Sequence, residues 1–586
     1  MPASDPLDRV LRIDLSNATY EVTERLELFA EALGGAGVAI RLLDEHCPQG
    51  ADPLGPENPI VFAVGPLVGL YPLASKTVAM FKSPLTGNLG ESHAGGRSAV
   101  SIRMAGYGAI VITGRSPSPT YLVIDDERVT FRDASALWGL RSSATAGSVL
   151  REREGGSGHR SILRIGPAGE AGIRYACVIT ETYRHFGRLG LGAVFGSKRL
   201  KGIVIRGNRT LPVADAAAYR RRYDLLFRAA TSSPAMRKYH DLGTAMNVLP
   251  LNEVGALPSR NLRAARFEAA EAISGEAMAA RFLGRRLACS HCPVACIHLA
   301  ALRTPHPHEP YFYKTSMLGY DYELIYALGS LLGVAEPEGI LRLADEVEVQ
   351  GLDALSTGVV LAWATEAYER GLVTAADLDG VALAWGDADA YAKAVRQIVR
   401  RTTDFYRALG RGVDHAASVY GGGEFALALG RNEMPGYHTG PACHVGFLTG
   451  SRHSHLDSAG YSLDQKTLAS GARRTEDEVV RALIAEEEWR QVLSSLVVCF
   501  FARGLYVPDA VSDALAALGV EIDPEGLAAI GAATLRRKWA FKRREGFDPN
   551  ALRIPERICE TETPLGRVDA DEIRRLVARF AAILSG

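Results

Sequence analysis

Residues 289–296 read CSHCPVAC, and the interpretation of the whole 586-residue chain works outward from this CxxCxxxC run. Cys289, Cys292 and Cys296 are close enough along the chain to bind three corners of one compact inorganic group. A fourth thiolate must come from a distant segment, and Cys499, in the apolar stretch LSSLVVCFF, is suited to supply it. Sets of four cysteines of this kind are the usual ligands of a [4Fe–4S] cluster.

Two other interpretations of these cysteines stay open at this point. A tetrahedral zinc site uses the same thiolates, although usually as two CxxC pairs. The triplet can also be three unrelated buried thiols. Its spacing is the reverse of CxxxCxxC, the order that would indicate a radical enzyme with an open iron. The remaining cysteines are scattered singly and are interpreted as structural: Cys47, Cys177, Cys443 and Cys559.

The composition is typical of a globular protein, with 47% hydrophobic and 23% charged residues. The net charge of −1 gives no electrostatic reason to expect nucleic acid or an anionic membrane as a partner. The N-terminal stretch MPASDPLDRVLRIDL lacks a basic region followed by an apolar core, and no apolar run approaches the length of a membrane span. We therefore expect a cytoplasmic protein, because a reducing compartment suits cluster thiolates.

Residues 1–210 are predicted to form a β-rich domain. Short β-branched or alternating runs indicate strands in RVLRIDLS, GAIVITG, SILRIG, KGIVIRG and YLVIDDERVTF, the last as a hairpin around residues 125–127. Glycine-dense segments between them are interpreted as loops: GGAGVA from Gly34, SPLTGNLGESHAGG from Ser83 and RLGLGAVFGSK from Arg188. Such loops let the backbone approach a flat, phosphate-bearing group. None has the context of a Rossmann fingerprint or a Walker lysine.

Residues 211–586 are predicted to be mainly helical. Apolar residues recur at helical spacing in AAAYRRRYDLLFRAATSS, PEGILRLADEVEVQ, GVVLAWATEAYERG and YAKAVRQIVRRTTDFYRAL. The glycine-rich stretch YGGGEFALALG divides this part into domains 211–420, with the cysteine triplet, and 421–586. The latter contains one long helical segment that carries Cys499 and ends with the amphipathic helix DADEIRRLVARFAAIL. The predicted fold class is α+β, a β-rich N-terminal domain followed by two mainly α-helical domains.

Taken in order, these segments resemble the aldehyde:ferredoxin oxidoreductase family of tungsten enzymes. The resemblance runs from end to end and includes DPLGPENPIVFAVGPLVG, KSPLTGNLGESHAGG, GRLGLGAVFGSKRLKGIVIRG, GTAMNVLPLNEVGALPSRN, the cysteine triplet, GLDALSTG and REGFDPNALRIPERI. It implies that the first domain is a saddle for a tungsten (or molybdenum) bis-molybdopterin, covered by the two helical domains. It also implies that Cys289, Cys292, Cys296 and Cys499 hold a [4Fe–4S] cluster.

The resemblance also assigns pterin positions residue by residue. Phosphate-side loops, with a bridging Mg²⁺, are implied to contain Lys76, Ser92, His93, Gly95, Gly96, Arg188, Gly190 and Gly192. Lys76 stands where relatives usually show arginine, so it meets a phosphate without bidentate geometry. The segment EVQGLD resembles the pterin-binding DxxGLD and offers Glu348, Leu352 and Asp353. The second motif, DxxGLC in relatives, is degraded here to SSLVVC, which leaves Ser494 and Val498 beside Cys499.

Glu323, in GYDYELIYALGS, matches the active-site glutamate of the family, and His453 or His455, in GSRHSHLDSAGYS, matches its histidine. The implied roles are proton transfers while an aldehyde, or its hydrate, becomes a carboxylic acid. Electrons then leave singly through the cluster to ferredoxin or a partner iron–sulfur subunit.

Two alternative functions stay open. One is a low-potential reductase of an acid or an aromatic acyl-CoA, because relatives include the catalytic subunit of an ATP-independent benzoyl-CoA reductase. The other is a non-catalytic, cofactor-carrying subunit, favoured by the loss of the second pterin aspartate. The helix PEGILRLADEVEVQ lacks the ExxH pattern of metal-linked dimers, which leaves a homo- or hetero-oligomer open. The ending RICETETPLGRVDADE replaces the GWDxxGxP stretch of many aldehyde-oxidising members and bears on the substrate class.

Overall fold

The computed structural model describes residues 6–156, 160–181, 183–306 and 308–585. Two six-stranded sheets form the N-terminal part. The first, in the order β2-β1-β6-β3-β4-β5, contains β1 (Arg9–Asp14), β2 (Thr19–Glu24), β3 (Ile60–Ala63), β4 (Thr77–Lys82), β5 (Leu89–Ala94) and β6 (Ala109–Thr113). The second, in the order β11-β10-β9-β12-β7-β8, contains β7 (Thr120–Asp125), β8 (Arg128–Asp133), β9 (Arg160–Arg164), β10 (Val178–Ile179), β11 (His185–Phe186) and β12 (Leu200–Arg206).

The two sheets share one hydrophobic core. Phe62 of β3 meets Phe186 of β11 edge to face, with ring centroids 5.4 Å apart. The helices of this part are α1 (Leu26–Ala32), α2 (Gly35–His46), α3 (Ser98–Ala105), α4 (Ser143–Arg153), α5 (Pro167–Glu170) and α6 (Leu191–Ser197). Every residue of β3 and β4 is buried, which explains the apolar runs IVFA in β3 and VAMF in β4. The predicted β7–β8 hairpin is confirmed, with Asp125 paired to Arg128.

The second part is mainly helical, so the predicted α+β fold class is confirmed. Its helices are α7 (Ala216–Ser232), α8 (Pro234–Asp241), α9 (Val248–Val254), α10 (Gly275–Phe282), α11 (Tyr322–Leu328), α12 (Pro337–Gln350), α13 (Ala354–Glu369), α14 (Ala388–Arg400), α15 (Asp404–Leu409), α16 (Val413–Tyr420), α17 (Pro441–Thr449), α18 (Gly460–Ser470), α19 (Glu476–Ser495), α20 (Pro508–Ala516), α21 (Pro524–Arg544), α22 (Glu556–Glu560) and α23 (Ala570–Ser585). One buried cluster joins both predicted helical domains, with members from Ala245 to Ala581, and also includes residues of the N-terminal part such as Leu85 and Tyr175. The boundary near residue 420 stays a prediction.

Two smaller sheets interrupt the helical part. A three-stranded antiparallel sheet contains β13 (Leu283–Leu287), β14 (Ile297–His306) and β15 (Glu309–Tyr320), and a short pair contains β16 (Ala428–Leu429) and β17 (Asn432–Glu433). The sequence pattern had suggested helix throughout this part. The cysteine triplet therefore lies in the connection between β13 and β14, not among helices.

Several predicted boundaries were wrong. The GGAGVA segment begins α2, and the segment from Ser83 contains β5 rather than being all loop. RLGLGAVFGSK contains α6, for which Gly190 is the N-terminal cap. The helical run predicted over 391–409 breaks at Arg401, whose φ of 55° is left-handed. The long helix expected to carry Cys499 ends at Ser495, because Val497 also adopts a left-handed φ, of 53°.

Among the described residues, no single helix has both the length and the apolar composition of a membrane span. The helical stretches Tyr322–Leu332 and Pro337–Gln350 meet those two criteria only as a pair, bent by 112°.

Candidate functional site

The cysteine triplet lies in a tightly folded connection whose two ends are held by neighbouring antiparallel strands. Leu287, the last residue of β13, pairs with Ile297, the first residue of β14. Inside the connection, the N–H of Cys292 donates to the carbonyl of Cys289 at 3.2 Å. His291 and Ala295 adopt left-handed φ angles of 57° and 53°. Each of these conformations turns the backbone sharply, so the cysteines are gathered on a short loop.

The fourth cysteine reaches this loop through an N-terminal segment. Val498 forms an antiparallel bridge with Ala74, and the N–H of Cys499 donates to the carbonyl of Leu73 at 2.9 Å. The N–H of Leu73 in turn donates to the carbonyl of His291 at 3.1 Å. Leu73 therefore connects the segment of Cys499 directly to the triplet loop.

The four thiols lie within electrostatic range of one another. Burial, together with the charges of the Cys289, Cys499 and Cys296 thiols, raises the pKa of Cys292 to about 12. Burial also raises the pKa of Cys296 to about 11. None of the described cysteines forms a disulfide. Within the described residues, no group of three or more His, Cys, Asp or Glu side chains is placed to hold a single metal ion.

A glycine and an arginine complete this thiol pocket. A Cβ atom added to Gly95 would lie 2.7 Å from Sγ of Cys289, so a side chain there would displace the thiol. Burial lowers the pKa of Arg184, but the thiols of Cys296 and Cys289, the carboxylate of Asp321 and the thiol of Cys499 together outweigh burial and hold this pKa above its usual value. Arg184 was missed in the sequence, because one arginine in a charged loop carries no pattern. A pocket of four thiols beside a buried cation fits an anionic iron–sulfur cluster.

The EVQGLD segment meets the second glycine-rich region at the start of α13. Asp353 caps this helix by accepting hydrogen bonds from the N–H groups of Leu355 and Ser356, at 3.2 and 3.1 Å. Nε of Arg188 donates to the same carboxylate at 3.3 Å, and Nη2 donates to the carbonyl of Glu433 at 2.6 Å. Nη1 of Arg188 is buried without a partner. This orphaned donor fits an acceptor such as a pterin phosphate.

Glu348 and Leu352 contact protein groups rather than open space. Oε2 of Glu348 lies 2.6 Å from Nε2 of His185. Leu352 forms an antiparallel bridge with Ala176. Backbone packing explains the glycines of the neighbouring loop. A Cβ atom at Gly192 would lie 2.5 Å from the carbonyl oxygen of Cys177, and a Cβ atom at Gly190 would overlap the carbonyl oxygen of Arg174.

Ser92 and His93 lie on β5, and Gly95 and Gly96 follow it. Nε2 of His93 lies 2.7 Å from Oε1 of Glu91, and burial lowers the pKa of this histidine to about 4. The carbonyl of Gly96 accepts a hydrogen bond from the N–H of Ser290 at 2.9 Å. This loop therefore lies directly against the cysteine triplet.

The degraded second motif ends α19 beside Lys76. The N–H of Lys76 donates to the carbonyl of Val497 at 3.3 Å, which places Val498 and Ser494 near the thiol pocket. A Cβ at Gly35 would overlap the carbonyl oxygen of Ser494. The GGAGVA glycines thus admit the end of α19 rather than a bound ligand.

Glu323 lies in the first turn of α11 and faces His455. Its Oε1 is 3.4 Å from Nδ1 of His455, and both atoms are buried without a hydrogen-bond partner. The N–H of Gly436 donates to Oε2 at 3.2 Å. Burial raises the pKa of Glu323 to about 8 and lowers that of His455 well below its usual value. Near pH 7 the pair is therefore a carboxylic acid beside a neutral imidazole.

The structure places His453 away from Glu323. Its Nδ1–H donates to the carbonyl of Phe447 at 2.9 Å, and its ring packs 5.4 Å from that of Phe547. The side chains of His455 and Glu323, by contrast, keep 13% and 16% of their surface accessible to solvent, so the pair is not completely enclosed by the core.

Three tyrosines that sequence analysis missed surround this pair. The ring of Tyr437 lies 5.2 Å from those of both His455 and Tyr322, and stacks on Tyr461 at 4.3 Å. Tyr322 directly precedes Glu323, and Tyr461 lies in the same quoted segment as His455, but only the fold brings the two rings together with Tyr437.

The sequence matches one family along nearly its whole length. Residues 10–207 match the aldehyde ferredoxin oxidoreductase N-terminal domain, and residues 225–582 match domains 2 and 3 of the same family. The tungsten-containing aldehyde ferredoxin oxidoreductase of Thermococcus kodakarensis is 33% identical over 574 residues, covering 95% of this chain and 92% of that protein. The protein of the same name from Pyrococcus furiosus is 32% identical, with the same coverage.

Other similarities are more distant. A Pyrococcus furiosus protein named aliphatic sulfonate oxidoreductase, WOR-like subunit, is 29% identical over 477 residues, covering 78% of this chain and 72% of that protein. The fold matches the solved active site complex BamBC of benzoyl coenzyme A reductase with a TM-score of 0.84 and 21% identity, over 99% of this chain and 94% of that one. The latter similarity concerns the fold alone. The two matching family domains, together with the relatives that are 32–33% identical, establish that this chain belongs to the aldehyde ferredoxin oxidoreductase family.

Proposed function

We propose that this chain is a tungsten-pterin oxidoreductase that oxidises an aldehyde to a carboxylic acid. The electrons released by the aldehyde would pass through a [4Fe–4S] cluster to ferredoxin or a partner iron–sulfur subunit. The cluster would be held by Cys289, Cys292, Cys296 and Cys499. The observation that carries the proposal is the Glu323–His455 pair, because two buried titratable groups with unpaired atoms are typical of an active site. The names of the relatives, tungsten-containing aldehyde ferredoxin oxidoreductases, support the substrate and the metal.

Two cationic side chains support the phosphate positions of the proposed bis-molybdopterin, to which a bridging Mg²⁺ belongs. Arg188 offers a buried unpaired donor, and Lys76 offers a second cation beside the thiol pocket. Asp353 holds Arg188 through its carboxylate, and Glu348 is paired with His185, so a direct pterin contact of either carboxylate stays a prediction. When bound, the tungsten–pterin group would supply the two-electron acceptor for the substrate.

The protein groups would handle the protons. Oxidation of an aldehyde hydrate to a carboxylic acid releases two protons and two electrons. The imidazole of His455 is neutral because burial lowers its pKa, and its buried Nδ1 has no hydrogen-bond partner, so this ring would pass a proton on rather than keep it. Glu323 is protonated below about pH 8, and its Oε1 lies 3.4 Å from Nδ1 of His455. It can therefore donate its proton or relay a proton to or from this imidazole.

The first test is the metal and activity content of protein purified without air. We expect about four iron atoms and one tungsten or molybdenum per chain, with pterin phosphate and aldehyde-dependent reduction of a viologen dye. Zinc in place of iron, with neither tungsten nor molybdenum, would contradict the redox proposal and favour the non-catalytic subunit instead. Viologen-driven reduction of an acid or acyl-CoA, without aldehyde oxidation, would instead assign the low-potential reductase reaction.

A further inference from the structure

Helix α8 covers the thiol pocket from outside. Nδ1 of His240 lies 2.8 Å from the carbonyl oxygen of Val294, inside the cysteine triplet loop. The neighbouring Tyr239 stacks on Phe501, two residues after Cys499, with ring centroids 4.0 Å apart and planes inclined by 8°. This helix therefore spans both segments that carry the cluster cysteines, and its outer surface lies over the pocket.

Strand β13 lies beside α8 and leads into the same loop. Nη2 of Arg286 donates to the carbonyl of Asp241, at the end of α8, at 3.3 Å. β13 ends at Leu287, two residues before Cys289. The outer sides of α8 and β13 thus form one continuous surface around the loop, which we call the cluster-side surface.

The cluster-side surface is basic although the whole chain has a net charge of only −1. Arg237, Lys238, Arg285 and Arg286 are all exposed, and Asp241 is the one carboxylate in the two elements. Nε of Arg237 lies 3.8 Å from Oδ2 of Asp241. Lys238 and Arg285 form no ion pair with any carboxylate in the described part of the chain. These two cations therefore contribute nothing visible to the fold and are available to a partner.

We propose that the cluster-side surface is the docking site of a small acidic iron–sulfur protein that accepts one electron at a time. This inference rests on the proposed function and names where its electron acceptor binds. A carrier seated on α8 and β13 would lie over the loop that contains Cys292 and Cys296, whose side chains are only partly buried. Complementary charge would speed its encounter and fix its orientation before electron transfer.

The test compares two matched double charge reversals. Lys238→Glu/Arg285→Glu removes the two unpaired cations from the cluster-side surface. Lys393→Glu/Arg400→Glu changes one exposed lysine and one exposed arginine on α14, which packs against α12. All variants are assayed anaerobically as holoenzyme with an aldehyde, using either a viologen dye or a purified acidic clostridial-type ferredoxin.

We expect the first pair to raise the KM for ferredoxin about tenfold at low ionic strength, and the α14 pair to change it less than twofold. Rising salt should reduce the difference, because exposed charges are screened over about 10 Å at 0.1 M. Viologen activity should be unchanged in both pairs. Equal ferredoxin kinetics in the two pairs would overturn the docking site, whereas absence of aldehyde–viologen activity in the wild type would overturn the proposed function itself.

A binding readout independent of turnover uses carbodiimide, which joins lysine amines to carboxylates. We expect mass spectrometry to identify a cross-link between Lys238 and a ferredoxin carboxylate. This cross-link should disappear in salt at roughly 0.5 M, because the salt screens the charges that bring the two proteins together. Cross-links confined to Lys314 of β15, or joining two copies of this chain, would show that the carrier binds elsewhere or that the surface is a self-interface. Either result overturns the proposal.

Discussion

The N–H of Cys499 donates to the carbonyl of Leu73 at 2.9 Å, and this is one of the hydrogen bonds that join the C-terminal part of the chain to the N-terminal part. Leu73 bonds in turn to the loop of the other three cysteines. The thiol pocket is therefore assembled from three distant segments through backbone groups. Side-chain substitutions nearby should change the chemistry of the site without dismantling it.

Glu323→Gln should lower aldehyde turnover about 10²–10⁴-fold, the usual contribution of a general acid or base. The amide keeps the hydrogen bond from Gly436 but cannot transfer a proton. Tungsten and iron contents should match those of the wild type. Unchanged turnover at full metal content would remove Glu323 from the mechanism.

The pH profile supplies a separate test of Glu323. Because its pKa is raised to about 8, the folded enzyme holds the carboxyl protonated below that pH and loses this proton above it. We expect a step that needs the acid form to decline as pH rises through about 8. The residual activity of Glu323→Gln should lack this alkaline limb, and a profile identical to that of the wild type would assign the limb to another group.

His455→Gln and His453→Gln should separate catalysis from stability. The first removes the imidazole next to Glu323 and should abolish most turnover while leaving the unfolding temperature nearly unchanged. The second removes the buried donor to Phe447 and should cost about 1–3 kcal/mol of unfolding free energy, measured by denaturant titration. Equal turnover losses at equal metal content would contradict this division.

Arg184→Leu should lower the reduction potential of the cluster. The positive charge beside Cys296, Cys289 and Cys499 stabilises the more negative reduced state, so its removal favours oxidation. An EPR-monitored redox titration measures the shift, and Arg184→Lys should restore most of it. A potential that does not change in Arg184→Leu would contradict the electrostatic role.

Gly95→Ala should reduce cluster occupancy. The new Cβ would lie 2.7 Å from Sγ of Cys289, and the thiol cannot move without leaving its ligand position. We expect the iron content to fall well below that of the wild type. Gly504→Ala is the matched control, because nothing lies within 4 Å of a Cβ there. Full iron content in Gly95→Ala would show that the loop adapts.

The sequence predicted the order of a β-rich part followed by helices, because strands such as β6 and β12 carry continuous β-branched runs. It could not predict the β13–β15 sheet, since LGRRL is a short edge strand with exposed arginines. It also missed the end of α19, where neither glycine nor proline marks the stop. Nor could it distinguish His455 from His453, because only the fold shows which imidazole faces Glu323.

The packing of the C-terminal end of α19 against the N-terminal domain has a consequence for biosynthesis. The backbone of residues 494–496 lies against Gly34, Gly35 and Gly65 at the opposite end of the sequence. During translation the cysteine triplet leaves the ribosome long before Cys499. The nascent chain at that stage has three of the four proposed ligands, and its N-terminal glycines do not yet contact the end of α19. A complete set of ligands arises only once the late-made segment has docked on the earliest-made domain. We therefore expect the proposed cluster to gain its fourth ligand only after this docking step, and a chain terminated before Cys499 to lack one of the four proposed ligands.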